Sequence, residues 1–285
     1  MAWTDPRTWA SGELVTAAIM NSAVRDNLDA VQGAVISKSA GYTIVAADFA
    51  GGVVTVKVDT TGGSDVTIVL PAASGLAGYR VNVVLADATF SAGKSTGIVI
   101  VDGHSSELIN GLASTKLFLE FDHVSMTCDG TGWYITEERS TVVASYYPAS
   151  DTSANDNTWT QIALDTVLID SANACSSSNF TVPVGYAGIY QLNSVMRFHS
   201  TASGDTFHLS YYLNGSQGTG WASSYITWQE DAGRPSGFAQ TQVLLDAGDV
   251  IALYGKPAIA AASVDMDEGP LLCCFNALLV KRTYA

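Results

Sequence analysis

Charge is scarce in this 285-residue chain and uneven in sign. Only 14% of the residues are charged, and 13 lysines and arginines stand against 27 aspartates and glutamates, which gives a formal net charge of −14. A surface this acidic repels phosphate backbones and anionic lipid headgroups, so nucleic acid is excluded as an expected partner. Membrane insertion is excluded as well, because no stretch reaches the ~20 consecutive apolar residues that a bilayer-spanning helix needs.

Residue patterns for redox, metal and nucleophilic chemistry are also missing. The four cysteines have no paired ligand spacing, and the four histidines form no His-x-x-x-His pattern. Neither a glycine-rich phosphate loop nor a Gly-x-Ser-x-Gly elbow occurs. The chain is therefore predicted to be non-enzymatic and to hold no cofactor. One acidic cluster, Asp265, Asp267 and Glu268, is a weak candidate for calcium because it offers hard oxygen ligands, but a solvated loop is the favoured interpretation.

Apolar residues, at 47%, are plentiful enough for two domains with cores of their own. The first apolar pattern predicts a helix that Thr16 caps, because apolar residues recur at spacings of three and four along one face. These residues are Met20, Val24, Leu28, Val31 and Val35. Such a helix is marginal alone in water and needs a partner surface. Trp3 and Trp9 precede it, and we expect both tryptophans and the helix face to dock onto another protein; folding back onto the chain itself is the alternative.

A period-two pattern follows the helix, and it predicts strands up to about residue 136. Val54, Val56 and Val58 alternate with polar residues, and further apolar runs include residues 66–70, 81–83, 98–101 and 117–121. Turn sequences such as DTTGG at 59–63 and DGTG at 129–132 separate the runs and suit hairpins. Residues 38–140 are therefore predicted to form a small antiparallel β module.

A polar stretch, PASDTSANDN at 148–157, is typical of a loop or linker, and a second set of strands follows it. Short strands without interposed helical patterns predict a sandwich or jelly roll. The predicted strands are residues 162–169, 180–184, 188–200, 206–213, 238–245, 249–254 and 273–281. The expected organisation is thus an N-terminal docking peg at 1–37, a β spacer at 38–140 and a jelly-roll head at 141–285, mainly β throughout.

An aromatic stretch in the head is the strongest candidate for ligand binding. Trp221, Tyr225 and Trp228 are followed by Glu230 and Asp231. Aromatic faces stack on the C–H faces of sugars, while acids and amides accept hydrogen bonds from sugar hydroxyls. These five residues are the predicted receptor site. The competing interpretation is a strand whose alternate aromatic residues point into the core.

Two segments in the first half of the chain resemble parts of bacteriophage proteins. WTDPRTW at 3–9, GELVTAA at 12–18 and VRDNL at 24–28 resemble the N-terminal signature of phage and prophage proteins that serve as tail or fibre components. IVLPAASGLAG at 68–78, closing with DGTGWY at 129–134, is similar to a β module found in phage fibres. This resemblance implies that the N-terminus docks onto another virion protein.

The second half resembles the jelly roll of the complement globular head and tumour-necrosis-factor families. Phe180, Pro183, GIY at 188–190, LDAGDV at 245–250 and the closing strand at 275–280 occur in that family's order, whereas residues 218–237 depart from it. The resemblance implies a tight homotrimer.

These observations together predict a virion fibre, on the tail or on the head, that is assembled in the cytoplasm of the host bacterium. Its trimeric jelly-roll head is expected to act in host attachment, with a host surface glycan as the candidate ligand. A purely structural head decoration protein is the first alternative, and a polysaccharide-degrading enzyme is the second.

Overall fold

The structure is a computed structural model that describes residues 14, 16–21, 33–91, 94–198, 205–217, 223–227, 236–259, 263–269 and 273–283. The chain is mainly β. Its contacts divide it into two compact units, the first containing residues 33–89 and 96–140, and the second containing residues 90–95 and the described residues from 141 onward. Among the described residues, no helix has both the length and the apolar character to cross a bilayer.

One turn of the predicted N-terminal helix lies within the described residues. This helix, α1 (Ala17–Met20), begins after Thr16, whose hydroxyl accepts a hydrogen bond from the Ile19 N–H at 3.3 Å. The prediction that Val35 extends the helix face is wrong, since Val35 lies in a strand that pairs with the first unit's sheet. Gly33 precedes that strand with a φ of 75°, a left-handed conformation in which a helix cannot continue.

The first half of the chain holds eleven short strands within the described residues, together with a 3-10 turn at Ala46–Asp48. The strands are β1 (Ala34–Lys38), β2 (Tyr42–Thr43), β3 (Val53–Asp59), β4 (Val66–Val69), β5 (Arg80–Asp87), β6 (Phe90–Ser91), β7 (Lys94–Ser95), β8 (Val99–Asp102), β9 (Ser114–Leu117), β10 (His123–Cys128) and β11 (Trp133–Arg139). Strands β6 and β7 belong to the second unit.

The first unit is built from two sheets, ordered β1-β3-β5-β10-β11 and β2-β4-β8-β9. Its chain alternates between them, so β1, β3 and β5 pair in parallel in one sheet and β2, β4 and β8 in the other. Only the closing pairs, β8–β9, β5–β10 and β10–β11, are antiparallel. The predicted all-antiparallel pairing of this module is therefore wrong. Turn residues that permit a hairpin also permit an arch that carries the chain into the facing sheet.

Alternate residues of both sheets point into one shared core. Val54, Val56 and Val58 of β3 are fully buried in it, together with Trp133, whose indole N–H donates to the Pro71 carbonyl at 2.9 Å. The predicted strand at 117–121 ends at Leu117. The residues after it form a turn, because the buried Asp122 carboxylate accepts hydrogen bonds from two N–H groups at 118 and 119, at 3.0 and 2.9 Å.

The second unit contains the remaining strands. They are β12 (Val143–Tyr147), β13 (Thr152–Asn155), β14 (Thr160–Gln161), β15 (Thr166–Asp170), β16 (Cys175–Ser176), β17 (Asn179–Thr181), β18 (Gly188–Arg197), β19 (Thr206–Leu213), β20 (Ser216–Gln217), β21 (Ser223–Thr227), β22 (Ser236–Leu245), β23 (Val250–Ala258), β24 (Ser263–Met266) and β25 (Cys274–Arg282).

These strands form a jelly-roll sandwich, as predicted. One sheet has the order β22-β18-β25-β12-β15-β7-β6, and the other has the order β16-β17-β23-β19-β20, with β21 on β19 and β14 on β23. Aromatic side chains fill the space between the sheets: Phe275 packs against Tyr146, Phe180 and Tyr211, with ring centroids 4.9 to 6.3 Å apart. Neighbouring strands are thus mostly distant in sequence, as two antiparallel Greek keys require.

The predicted linker at 148–157 contains a strand. β13 pairs antiparallel with β24, and only Ala154 of β13 is buried. A strand that buries a single small residue leaves no apolar alternation in the sequence, which is why its polar composition indicated a loop.

Candidate functional site

The outer face of one jelly-roll sheet carries a long stretch of uncharged side chains. Even-numbered side chains of β18 are buried between the sheets and odd-numbered ones are half-buried on the outside, as the period of two requires. Strands β22 and β25 flank β18 on either side. We call the outward residues of the middle stretches, 189–195, 238–244 and 274–280, the uncharged face: Ile189, Gln191, Asn193, Val195, Phe238, Gln240, Gln242, Leu244, Cys274, Asn276, Leu278 and Val280. Two charged residues border it, Lys281 opposite Ile189 at one end and Arg197 opposite Ser236 at the other.

Strand register arranges amide side chains in rows across the middle of this face. Asn193 lies opposite Gln240 on one neighbour and opposite Asn276 on the other. In the next row, Gln191 lies opposite Gln242. Amides both donate and accept hydrogen bonds, so such rows can pair with a copy of themselves without any charge.

Apolar residues flank the amide rows and are exposed to an unusual degree. Phe238 is 70% exposed, Leu244 is 63% exposed and Val280 is 52% exposed. A hollow of about 240 Å³ lies beside Phe238, between β18, β22 and β25. The stretches 189–195, 238–244 and 274–280 contain no Asp, Glu, Lys or Arg, although the chain carries a net charge of −14. A contiguous surface of this kind is typical of a protein interface.

A polar groove of about 570 Å³ lies near one end of the same unit, and it contains two of the three predicted calcium ligands. Arg197 forms an ion pair with the Asp267 carboxylate, which is 4% exposed. The Glu268 N–H donates to the Asp151 carboxylate at 2.9 Å, while the side chains of Asp265 and Glu268 are exposed. Across the described residues, no group of three acidic, histidine or cysteine side chains is arranged to hold a metal ion. Asp267 thus pairs with Arg197 rather than with a second carboxylate of the predicted calcium site.

Most of the predicted receptor site lies outside the described residues. This applies to Trp221, Trp228, Glu230 and Asp231, and to the side chain of Tyr225. The backbone of Tyr225 belongs to β21, which pairs with β19 and places Tyr225 opposite His208. Of the predicted site, the structure thus describes only the backbone of Tyr225, on a strand next to β19.

The predicted docking residues of the N-terminus are also largely outside the described part of the chain. Trp3, Trp9, Val24, Leu28 and Val31 lie outside it. The remaining one, Met20, is 45% exposed on α1. Docking by this segment stays a prediction.

The cysteines of the described residues are free thiols. Three of the four are buried, and Cys274 is half-buried. Burial raises the pKa of the Cys273 thiol to about 12. The thiolate is the reactive form, so this thiol is protonated and unreactive near neutral pH.

An aromatic cluster on the second jelly-roll sheet was not predicted from the sequence. It joins Trp159, next to β14, with His208 and Tyr212 of β19 and with Tyr254 and Lys256 of β23. Its only signal in the sequence is the period-two spacing within each strand. Three strands far apart along the chain contribute to it, so the pattern could be assembled only once their pairing was known.

No known protein family and no curated protein sequence matches this chain. Solved structures to which it is similar include the Eiger TNF from S. frugiperda, at 11% identity and a TM-score of 0.39, over 52% of this chain and 97% of that chain. Another is murine APRIL at pH 5.0, at 17% identity and a TM-score of 0.39, over 50% of this chain and 100% of that chain. The globular domain of zebrafish complement 1qA is similar at 12% identity and a TM-score of 0.35, over 50% of this chain and 99% of that chain. The jelly-roll fold is established here by the strand order.

Proposed function

We propose that this chain is the subunit of a homotrimeric bacteriophage fibre whose jelly-roll head acts, without catalysis, in attachment to the host surface. The observation that carries the proposal is the uncharged face. It combines exposed apolar residues with amide rows, and the stretches 189–195, 238–244 and 274–280 of three adjacent strands contain no charged residue, in a chain of net charge −14.

The hydrophobic effect favours burial of this face in a trimer. Each Å² of apolar surface removed from water contributes about 25 cal/mol, and a monomer leaves Phe238 and Leu244 wet. Three copies arranged about one axis can turn this face inward, where the amides of one copy can donate to and accept from polar groups of the next. Like charges would repel close to such an axis, and the stretches 189–195, 238–244 and 274–280 contain none.

The virion assignment is supported by the resemblance of residues 3–9, 12–18 and 24–28 to phage tail and fibre proteins. The resemblance of residues 68–78 and 129–134 to a phage fibre module points the same way. A trimeric head carried by a β spacer and an N-terminal docking segment is an arrangement suited to reaching a surface outside the particle.

The trimer is tested by charging the uncharged face. Phe238→Lys places three ammonium groups near the axis, and burying an unpaired charge costs several kcal/mol. We therefore expect the substitution to weaken the free energy of trimer association by about 3 kcal/mol per subunit or more, so that the trimer dissociates. Val184→Lys is the matched control, because Val184 is 82% exposed and lies outside the face. Sedimentation equilibrium at micromolar concentration should give three times 29.8 kDa for the unaltered chain and the control, and 29.8 kDa for Phe238→Lys. A folded monomer for the unaltered chain contradicts the proposal.

Attachment is separated from purely structural decoration by binding to cells. Labelled trimer is incubated with bacteria that the phage infects and with resistant mutants of the same strain that lack its surface polysaccharide. Attachment predicts binding to the first and not to the second. Equal, background-level signals on both would favour the structural alternative.

A further inference from the structure

The aromatic cluster occupies the outer side of the sheet that contains β19 and β23. Leu253 of β23 is buried between the sheets, so Tyr254 and Lys256 point to the other side, where they are half-buried. The register places Lys256 opposite His208, so His208 shares that side. This is the sheet opposite the uncharged face, so a trimer formed through that face leaves the cluster on the outside.

The rings of the cluster contact one another in pairs. Tyr212 and Tyr254 are stacked, with centroids 3.9 Å apart and planes inclined by 23°. Trp159 meets Tyr212 edge-on at 6.0 Å and His208 at 6.2 Å. All four rings are half-buried, so each is held by its neighbours while part of it remains accessible to solvent.

Polar groups border these rings at fixed positions. The Lys256 ammonium lies 5.6 Å from the centroid of the Trp159 ring. Gln161 is opposite Tyr254 in register, and its side-chain amide donates to Asn179 Oδ1 at 3.0 Å. Burial, and then the nearby Lys256 charge, lower the pKa of His208, so this imidazole is neutral at pH 7.

We propose that Trp159, Tyr212 and Tyr254 form a carbohydrate-binding platform that takes a pyranose ring of a bacterial surface polysaccharide. The proposal deepens the attachment function and rests on it. Sugar C–H faces stack on aromatic rings, while sugar hydroxyl oxygens accept hydrogen bonds from a donor such as the Lys256 ammonium.

Other occupants fit the cluster less well. Bases of single-stranded nucleic acid also stack on aromatic rings, but their phosphates would be repelled by a chain of net charge −14. A protein partner would need to cover about 800 Å² per side, far more than a few half-buried rings present. A sugar needs only one or two ring faces and a few hydrogen bonds, which is what the cluster offers.

The test uses the full chain on a glycan array printed with purified capsular polysaccharides and lipopolysaccharide O-antigens. Trp159→Ala and Tyr254→Ala are compared with Tyr134→Ala, which removes an exposed ring of the first unit that lies outside the cluster. We expect the unaltered chain to bind at least one printed glycan, and Trp159→Ala and Tyr254→Ala to weaken that binding about tenfold or more. Trp159→Phe retains an aromatic face and should keep most of the binding.

Each sample is also examined by sedimentation and by thermal melting, so that a folding defect is recognised. No binding by the unaltered trimer, or equal binding by unaltered and Trp159→Ala trimers, overturns the platform. If the platform residues prove unnecessary for glycan binding but the trimer still binds cells, the attachment function is retained and its site lies elsewhere on the chain. If the unaltered trimer binds neither cells nor glycans, the proposed attachment function is contradicted as well.

Discussion

Three tyrosines in the second unit are buried to nearly the same extent but differ in their hydrogen bonds. The Tyr190 hydroxyl donates to the Tyr186 carbonyl at 2.9 Å, and the Tyr211 hydroxyl lies 2.8 Å from the Ala239 carbonyl. The Tyr146 hydroxyl is buried and has no partner among the described residues. Burial, together with the neighbouring Cys175 and Asp170, raises the pKa of Tyr146, so this hydroxyl stays neutral.

Substitution of each tyrosine by phenylalanine should change the free energy of unfolding in opposite directions for the unpaired hydroxyl and for the two hydrogen-bonded ones. A buried hydroxyl without a partner is costly, so Tyr146→Phe should raise the free energy of unfolding by about 1 kcal/mol. Tyr190→Phe and Tyr211→Phe should each lower it by about 1 kcal/mol, because a carbonyl loses its donor. Urea unfolding at one fixed protein concentration measures all three. A loss for Tyr146→Phe equal to that for Tyr190→Phe would show that its hydroxyl is hydrogen-bonded in solution.

At this scale the sequence revealed residue types but not their neighbours. It pointed to aromatic residues as the ligand-binding chemistry of the head, and it placed them at 221–231. The cluster of Trp159, Tyr212 and Tyr254 was missed because three separate strands create it. Similarly, the acidic stretch ending at Glu268 was interpreted as a solvated loop, with calcium binding as a weak alternative, whereas the structure pairs Asp267 with Arg197, a residue 70 positions away along the chain.

Among the elements, the turn between β10 and β11 shows how one side chain fixes a connection. The Asp129 carboxylate accepts hydrogen bonds from the Thr131 N–H at 2.7 Å, the Thr131 hydroxyl at 2.8 Å and the Gly132 N–H at 2.9 Å. The Thr131 N–H contributes most to lowering the pKa of Asp129 to about 2. Its unfolded value is close to 3.8.

The pH dependence of this turn follows from the direction of the shift. Because the folded pKa is depressed, the carboxylate's stabilisation of the turn is fully present above pH 3.8 and is lost as the pH falls through about 2. Amide resonances of Thr131 and Gly132 should therefore titrate together with a midpoint near 2. Asp129→Asn keeps an acceptor without an ionisable group and should abolish the titration. A midpoint near 3.8 in the unaltered chain would mean that these hydrogen bonds do not form in solution.

Strand positions were largely predictable, while strand pairing was not. The valines of β3 and the runs that became β4, β5 and β8 stand out because alternate residues face one core. The connection after a strand can be a hairpin, which returns the chain within the same sheet, or an arch, which carries it into the facing sheet. The same Gly and Asp residues are compatible with both connections, so the sequence does not distinguish them. In the second unit the jelly-roll fold was predicted from the resemblance, but the pairing of individual strands was not.

For the whole molecule, the boundary of the first unit decides how the docking segment should be tested. Strand β1 begins at Ala34 and pairs along its length with β3, so a deletion that preserves the first unit must stop at residue 32. Removal of residues 1–32 should leave a folded trimer that no longer joins the particle, because the predicted docking residues are then gone. Immunoblots of purified virions, after complementation of a phage that lacks the chain, give the readout.

A longer deletion provides the control. Removing residues 1–38 also removes β1 and leaves the edge of β3 unpaired, so this variant should melt at a lower temperature, whereas the shorter deletion should melt like the unaltered chain. Normal incorporation of the chain that lacks residues 1–32 would place the docking surface elsewhere.

The alternation of the first unit's chain between two sheets has a consequence for the length of this unit. Val53 and Arg80 occupy equivalent positions on neighbouring parallel strands, so residues 53–79 are one complete circuit that adds a single strand to each sheet. Strands in a sheet are ~4.8 Å apart. Duplication or loss of whole circuits would therefore change the length of this unit in steps of ~4.8 Å, with the core residues of each circuit meeting the same neighbours as before. Recombination within this segment can thus lengthen or shorten the unit without altering either end of the chain.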